Sequence, residues 1–364
     1  MIKRSNGKMT YFGAEMTKEQ LTDRIGDMSQ VAGIRLFELM NGNERGVRAA
    51  EFYTGTGFTF TVLLDRGMDI DQAKFGSIPV SWESPTGPVS PAFYESKGLE
   101  WLRQFQGGLL AGCGPTYFGA PNVDEGTELG LHGRLSNIPA KDVCVKQEWK
   151  GNDYVMYVEG HMNEAATFLD SLRVSRRVET MMGESRLFVH DVFENIGFAT
   201  SPFCVLYHCN MGWPIVSENS RLYLKSQVRG RGSLPAADVS KWNVFQSPTK
   251  GFAEHVFYHT VEADKEGMAS AALINPAFGG GEGFGVYVRW NKDTLPYMVE
   301  WKMMGQKAYV VGLEPSNTTG DGRAANRKEG TLRFLEPGEK AESKLEIGLL
   351  ANKAEIDDWL KKNA

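Results

Sequence analysis

The chain has 364 residues, of which 41% are hydrophobic and 23% charged, and its net charge is −5. These values are typical of a globular protein with a substantial core. No basic block stands out and no stretch reaches the roughly 18 apolar residues of a membrane-spanning helix, so we expect neither a nucleic-acid nor a membrane partner.

The cysteines and the N-terminal region bear on the compartment. Cys113, Cys144, Cys204 and Cys209 form no Cys-x-x-Cys pair, and each lies in apolar or glycine-rich surroundings. This arrangement predicts free thiols in a reducing compartment and neither a zinc site nor a disulfide framework. The first 30 residues contain no apolar segment of a secretory signal. We therefore expect a cytoplasmic protein without a bound metal.

The N-terminal part of the sequence predicts a short helix, and the residues that follow it predict strands. Thr17 and Gln20 form a capping-box pattern, which predicts a short helix within an N-terminal extension of residues 1–45. Residues 51–54 and 58–65 have the β-branched and aromatic composition of strands. Arg66 follows the second of these strands, beside a glycine. It suits either a surface turn or a hydrogen-bonding fork that points into a pocket.

A glycine-rich region follows a predicted helix at residues 98–105. It extends to residue 137 and contains His132 and Arg134. Glycines let the backbone come close to a ligand or adopt left-handed angles. His132 and Arg134 are therefore candidate site residues, and the alternative is that they lie exposed on a loop.

From residue 141 the pattern is a succession of short strands separated by turn residues. The predicted strands are residues 154–158, 172–178, 186–193, 202–208, 252–261, 271–274, 284–290, 297–302, 308–313, 332–335 and 343–350. Such a succession predicts an all-β sandwich or barrel. Neither βαβ alternation nor a phosphate-binding glycine fingerprint is present, which disfavours a nucleotide-binding sheet. We predict a single domain over residues 1–364, with a C-terminal helix at residues 351–364.

Two of these strands are predicted to end in proton-carrying side chains. His208 closes an apolar run, and its ordinary pKa near 6.5 suits proton exchange near neutrality. Glu314 follows another apolar run, and partial burial would raise its pKa into a useful range. Each could instead be structural, as a core histidine or a turn carboxylate. Together with His132 and two arginines they form a candidate acid–base site.

Four short segments carry a resemblance to a known family. They are Asp65-Arg66-Gly67-Met68-Asp69-Ile70, Leu131-His132-Gly133-Arg134, the segment from Pro202 to His208, and Gly312-Leu313-Glu314-Pro315. In this order and spacing, the chain resembles the galactose mutarotase (aldose 1-epimerase) superfamily, and most closely its branch of proteins grouped as aldose epimerases.

The resemblance implies a large antiparallel β-supersandwich with a few short peripheral helices and a sugar site on a concave sheet face. It implies an isomerase of carbohydrate metabolism that exchanges sugar anomers without metal or organic cofactor. His208 would protonate the ring oxygen, Glu314 would take the proton of the C1 hydroxyl, and His132 would lie near the ring oxygen. The expected substrate-binding residues are Arg66, Arg134, Glu254, His255 and Asn317.

The residues beside these motifs leave the sugar open. His132 is followed by Gly-Arg, His208 by Cys-Asn-Met-Gly and Glu314 by Pro-Ser-Asn, unlike the classical enzymes. One alternative is a sugar-binding or regulatory protein on the same fold, although a pure binder needs no matched proton pair. Another is a sugar-phosphate epimerase or a polysaccharide lyase. The expected partner is a small sugar, and a homodimer remains open.

Overall fold

Strands dominate the computed structural model, which describes residues 9–11 and 14–363. The parts of the predicted domain at residues 1–8, 12–13 and 364 lie outside the described residues. The strands are β1 (Met9–Tyr11), β2 (Ala14–Met16), β3 (Gly33–Glu38), β4 (Arg48–Tyr53), β5 (Phe58–Leu63), β6 (Asp69–Phe75), β7 (Ile78–Pro79), β8 (Trp82–Glu83), β9 (Gly107–Gly108), β10 (Leu110–Cys113), β11 (Asn122–Asp124), β12 (Thr127–Leu129), β13 (Lys141–Lys150), β14 (Asp153–Ala165), β15 (Ser171–Met181), β16 (Arg186–Asn195), β17 (Ser201–Phe203), β18 (Leu206–Gly212), β19 (Arg221–Leu224), β20 (Ser226–Gly230), β21 (His255–Val261), β22 (Met268–Asn275), β23 (Phe284–Asn291), β24 (Tyr297–Gly305), β25 (Ala308–Ser316), β26 (Arg333–Leu335) and β27 (Lys340–Leu350).

The α-helices of the described residues are short and peripheral. They are α1 (Lys18–Thr22), α2 (Ala236–Val239), α3 (Arg323–Glu329) and α4 (Lys353–Asn363). The predicted capping box is present at α1, where the Thr17 side chain accepts from the backbone N–H of Gln20. The helix predicted at residues 98–105 is only a 3₁₀ turn, Glu100–Arg103. None of the described helices is long and apolar enough to cross a membrane.

Two large antiparallel sheets build the fold. The site sheet has eleven strands, in the order β20-β21-β24-β25-β18-β10-β6-β5-β4-β3 with β7 paired to β6. The back sheet has eight, in the order β13-β14-β15-β16-β27-β23-β22-β19. Side chains from both sheets, including Phe52, Phe60, Val158 and Val174, share one buried core. This arrangement confirms the predicted all-β supersandwich.

A buried polar network also joins the two sheets within this core. Arg176 of the back sheet is 1% exposed. Its Nε lies 2.9 Å from Asp191 Oδ1, its Nη2 lies 2.7 Å from Asp191 Oδ2, and its Nη1 donates to Gly67 O of the site-sheet side at 3.0 Å. The hydroxyl of Tyr207, on β18, donates to Asp191 Oδ2 at 2.7 Å. The network therefore fixes β18 against the back sheet.

The strand that carries His208 differs from the prediction in its bounds. The predicted strand at residues 202–208 is two strands, because β17 pairs with β26 outside the site sheet while β18 continues past His208 to Gly212. Glu314 likewise lies inside β25, which extends through Pro315 to Ser316. His208 and Glu314 are therefore strand residues, and neither ends its strand.

Alternation along the strands separates the two faces of the site sheet. Tyr207, Cys209 and Met211 enter the core between the sheets. Their neighbours Leu206, His208 and Asn210 must lie on the opposite face, because successive side chains of a strand alternate. A second apolar cluster covers that outer face and includes Leu206, Val256, Tyr258 and Val299, with Trp82 and Trp301 packed against it.

Candidate active site

His208 and Glu314 lie side by side on the outer face of the site sheet. The pairing of Leu206 with Ser316 and of Cys209 with Leu313 fixes a register that places His208 directly opposite Glu314. Pro315 has no N–H to donate, so the ladder is interrupted at this point. His208 Nε2 lies 3.1 Å from Glu314 Oε1. The two residues are 4% and 2% exposed, so the pair is held in a largely dry environment.

A glycine leaves the space that this pair occupies. A Cβ atom on Gly312 would lie 2.5 Å from Glu314 Oε1 and 3.2 Å from His208 Cε1. Gly312 is two residues from Glu314 on the same face of β25. A side chain at residue 312 would therefore displace one member of the pair.

His132 reaches the same place from the glycine-rich loop. Its φ of 57° lies in the left-handed region, which costs energy for a residue with a Cβ. Backbone bonds hold the loop there, since His132 N donates to Gly119 O and Gly114 N donates to His132 O, both at 3.1 Å. The rings of His132 and His208 have their centroids 5.7 Å apart at an interplanar angle of 86°. The His132 Nδ1 atom is buried and has no hydrogen-bond partner within the described residues.

Aromatic rings enclose the three side chains. The ring centroids of Phe105 and Trp301 lie 5.2 and 5.4 Å from that of His208. Trp101 lies 4.7 Å from the His132 ring and stacks on Phe105 at 4.6 Å. These flat apolar surfaces suit the faces of sugar rings and also exclude water from the pair.

Burial shifts the pKa values of the pair in opposite directions. It lowers the pKa of His208 to about 4, although the hydrogen bond to Asn210 and the charge of Glu254 favour the imidazolium. It raises the pKa of Glu314 well above its ordinary value; Glu254 adds to this and Arg231 opposes it. Burial is the largest cause that lowers the pKa of His132 to about 3, and the charges of His208 and Arg231 act in the same direction. The pair therefore favours a neutral imidazole beside a protonated carboxyl.

Glu254 lies at the rim of this cluster, and its two carboxylate oxygens contact Arg231 and Trp301. Its Oε1 is 2.6 Å from Arg231 Nη2, and its Oε2 accepts from Trp301 Nε1 at 2.8 Å. Both charged side chains remain solvent-accessible, at 46% for Glu254 and 40% for Arg231. They are charged groups that remain accessible to solvent beside the buried pair.

Arg66 is predicted to bind substrate, but its guanidinium is buried and already bonded. Its Nη2 donates to Gln104 O at 2.6 Å and to Gln106 Oε1 at 2.8 Å, and its Nη1 donates to Asn137 Oδ1. Because Gln104 and Gln106 flank Phe105, Arg66 supports the segment that carries this ring. Its Nε is also buried and has no hydrogen-bond partner within the described residues.

Of the predicted binding residues only Glu254 lies beside the cluster, and Arg134, His255 and Asn317 make their contacts elsewhere. Arg134 is exposed and lies 5.2 Å over the Tyr94 ring. His255 packs against Phe252, with centroids 4.9 Å apart, on the face of β21 opposite to Val256. Both ends of the Asn317 amide are occupied, since Oδ1 accepts from Val205 N at 2.8 Å and Nδ2 donates to Phe203 O at 3.0 Å.

Sequence reasoning missed two residues that contact the cluster. Asn210 lies two positions after His208, and the period of two along a strand could have revealed it. Arg231 follows β20 and reaches Glu254 only through the pairing of β20 with β21, for which the sequence gives no signal. Within residues 9–11 and 14–363, no group of three or more histidine, cysteine or acidic side chains is arranged to hold a metal ion.

Comparisons with known proteins agree with this architecture. A family model described as a domain of unknown function (DUF4432) matches residues 44–349. A candidate aldose 1-epimerase from Klebsiella pneumoniae subsp. pneumoniae shares 26% identity and superposes with a TM-score of 0.85, over 90% of this chain and 86% of that one. No curated protein matches the sequence.

More distant structures share the fold alone. A galactose mutarotase-like protein from Clostridium acetobutylicum has 14% identity and a TM-score of 0.59, over 88% of this chain and 99% of that one. A galactose 1-epimerase from Lactobacillus acidophilus has 12% identity and a TM-score of 0.56, over 88% and 100% of the two chains. The chain thus belongs to the DUF4432 family and has the fold of the galactose mutarotase superfamily.

Proposed function

We propose that this protein is an aldose 1-epimerase, which interconverts the α and β anomers of a sugar through its open-chain form. The contact of His208 Nε2 with Glu314 Oε1 at 3.1 Å carries the proposal. A carboxylate and an imidazole at this separation can both reach C1 substituents, because the C1 hydroxyl and the ring oxygen are bonded to the same carbon. The nearby His132 and the aromatic walls support it.

The reaction proceeds through the less populated charged form of the pair, a Glu314 carboxylate and a His208 imidazolium, which forms from the favoured neutral form when one proton moves from Glu314 to His208. Glu314 removes the proton of the C1 hydroxyl, the C1–O bond to the ring oxygen breaks, and His208 gives its proton to that oxygen. The products are an open-chain aldehyde, a protonated Glu314 and a neutral His208. Each positioned acid or base contributes roughly 10²–10⁴-fold to such a step.

Rotation about the C1–C2 bond and ring closure complete the exchange. The freed hydroxyl attacks the other face of the aldehyde while His208 takes back its proton, and Glu314 returns its proton to the carbonyl oxygen. His132 is neutral at ordinary pH because its pKa is lowered, so it offers the ring oxygen a hydrogen bond without competing for the proton. Glu254 and Arg231 bind sugar hydroxyls at the rim.

Saturation-transfer NMR of anomeric protons tests this function directly. The pure protein is added to a panel of aldoses, deoxy sugars and sugar phosphates, and exchange between the two anomers is measured against the uncatalysed rate. We expect accelerated exchange for at least one sugar. Binding of a sugar without any acceleration would instead identify a sugar-binding protein.

A further inference from the structure

The buried side-chain amide of Asn210 contacts Nδ1 of His208, the ring nitrogen that is not in contact with Glu314. Asn210 is fully buried, and its Oδ1 lies 2.5 Å from His208 Nδ1. Its Nδ2 faces three backbone carbonyl oxygens: that of His208 at 2.9 Å, that of Gly108 at 3.2 Å and that of Gly107 at 3.3 Å. The acid–base pair and this amide therefore form one continuous row, from Glu314 through His208 to Asn210.

The three carbonyls decide which way the amide faces. A carbonyl oxygen only accepts hydrogen bonds, and of the two ends of an asparagine side chain only the NH₂ group donates. A flipped amide would bring Oδ1 against three acceptors in a buried site, which is costly. Gly107 and Gly108 both adopt left-handed φ values, of 76° and 71°, a conformation that glycine tolerates best. The backbone thus fixes Oδ1 toward His208.

We propose that Asn210 is a positioning residue, which keeps a proton on Nδ1 of His208 and so reserves Nε2 for proton exchange with Glu314. Oδ1 can only accept, so the facing Nδ1 must donate. A proton on Nε2 alone would leave two unprotonated atoms, Nδ1 and Oδ1, facing each other at 2.5 Å.

The consequence for catalysis rests on the function proposed above. With Nδ1 protonated, one further proton is held by either Nε2 or Glu314, whose Oε1 lies 3.1 Å from Nε2 and has no hydrogen-bond partner within the described residues. It resides either on Glu314, beside a neutral ring, or on His208, beside a carboxylate. These are the two states that alternate when the sugar ring opens and closes. The pair then ends each anomer exchange with the protons it began with and needs none from solvent.

The position of the ring protons can be measured without any sugar. The full chain is labelled with ¹⁵N-histidine, two-bond ¹H–¹⁵N correlation spectra are recorded at neutral pH, and the His208 signals are assigned from their loss in His208→Gln. We expect Nδ1 to have the shift of a protonated nitrogen. An unprotonated Nδ1 together with a protonated Nε2 would overturn the proposal, whether or not the protein proves to be an epimerase.

Substitutions of Asn210 test whether it is the cause. Asn210→Leu removes the acceptor, so we expect the Nδ1 proton to be lost and the remaining proton to lie on Nε2. Donation from that ring would produce an imidazolate, so kcat should fall by roughly 10²-fold, the scale of one acid–base contributor, with little change in KM. Asn210→Asp retains an acceptor oxygen and should keep the Nδ1 proton. An Asn210→Leu spectrum like that of the wild type would overturn the proposal.

A matched control separates positioning from loosened packing. Asn195 is another buried asparagine, whose Nδ2 donates to Ala199 O at 2.8 Å and to Leu335 O at 2.7 Å, and whose Oδ1 accepts from Gly197 N at 2.9 Å. It lies on β16 of the back sheet. Asn195→Leu should leave the His208 signals and kcat unchanged. If it alters them as Asn210→Leu does, the specific role of Asn210 is wrong.

Discussion

At the residue scale, the contact between His208 and Glu314 is the part of the molecule on which the proposed chemistry depends most directly. Glu314→Gln keeps the shape of the side chain and removes the base, so anomer exchange should fall by roughly 10²-fold or more. His208→Asn should have an effect of similar size, and the double variant should lose little more, because groups that act as a unit are not additive. Saturation-transfer NMR gives all three rates.

An exposed histidine–glutamate contact elsewhere in the described residues serves as a control for this experiment. His190 Nε2 lies 3.2 Å from Glu342 Oε2 on the back sheet, where both side chains are substantially exposed. Glu342→Gln makes the same chemical change far from the cleft and should leave the exchange rate within about twofold. Near-wild-type exchange in Glu314→Gln would mean that Glu314 is a packing residue and that the base lies elsewhere.

The pH dependence of the rate follows from the one proton that the pair must hold. On the acid side a second proton binds to His208, whose pKa is lowered to about 4, so activity should fall as the pH drops through that value. On the alkaline side the rate should fall as Glu314 loses its proton, at a pH well above the ordinary pKa of a glutamate. The charge of Glu254 raises the pKa of both residues, whereas Arg231 lowers that of Glu314 and so acts on the alkaline limit.

The measurement is the exchange rate from about pH 3.5 upward, with structural integrity followed by circular dichroism. Because the pKa of His208 is lowered, the pH at which activity is lost on the acid side should lie below the pKa of about 6.5 of a free histidine. A rate that instead rose only as the pH increased through about 6.5 would show that a solvent-exposed histidine controls activity, and the buried pair would lose its assigned role.

At the scale of elements, the segment that carries Phe105 depends on Arg66. Arg66→Met leaves three buried acceptors without their donor: Asn137 Oδ1, Gln104 O and Gln106 Oε1. Each unpaired buried group costs about 1–3 kcal/mol. We therefore expect a loss of several kcal/mol in the free energy of unfolding, measured with urea, and a displaced Phe105 ring.

A comparison with Gln106→Leu distinguishes two roles of Arg66, support of the segment that carries Phe105 and direct binding of the sugar. The displaced Phe105 ring should raise KM in Arg66→Met, and because Gln106 contacts Arg66 and lies beside Phe105, Gln106→Leu should raise KM by a smaller factor. If Arg66→Met raises KM greatly while the free energy of unfolding stays unchanged, Arg66 binds the sugar directly in solution and its buried hydrogen bonds are not maintained.

The strands show what local sequence could and could not predict. The strands predicted at residues 172–178 and 186–193 lie within β15 and β16, along which buried and partly exposed side chains alternate. Around His208 the prediction failed because residues 202–208 are apolar on both faces, so periodicity gives no boundary between β17 and β18. Pro315 suggested a strand end, yet β25 continues because Pro315 lies where the β18–β25 ladder is interrupted.

The candidate site likewise contains features that the sequence could predict and features that it could not. The family resemblance grouped His132, His208 and Glu314, whose side chains lie together in the structure, while their assignment to a site and their chemical roles stay predictions. It could not reveal that Arg66 is buried beneath Phe105, because burial depends on the path of residues 104–106 and 137. Nor could it find Arg231, whose distance from Glu254 is set by strand order and not by chain position.

At the scale of the whole molecule, the order of strands is the information least visible in the sequence. The site sheet places β18 between β25 and β10, which are far from each other along the chain. The Arg176 network helps to hold the two sheets against each other. Its loss should therefore affect the stability of the whole fold and, through Tyr207, the position of the strand that carries His208.

Asp191→Asn tests this role. Among the described residues, the substitution leaves the buried guanidinium of Arg176 with only the more distant Asp69, 3.6 Å away, as a charged partner. Breaking a buried ion pair in this way costs about 3–5 kcal/mol. Urea unfolding should show a loss of this size. Glu51→Gln is the control, because it breaks the contact of Arg35 with Glu51 at 2.8 Å, in which Arg35 is 70% exposed; an exposed pair is worth less than about 1 kcal/mol. Equal effects of the two substitutions would mean that the network contributes no more than a surface pair, and that apolar packing alone joins the two sheets.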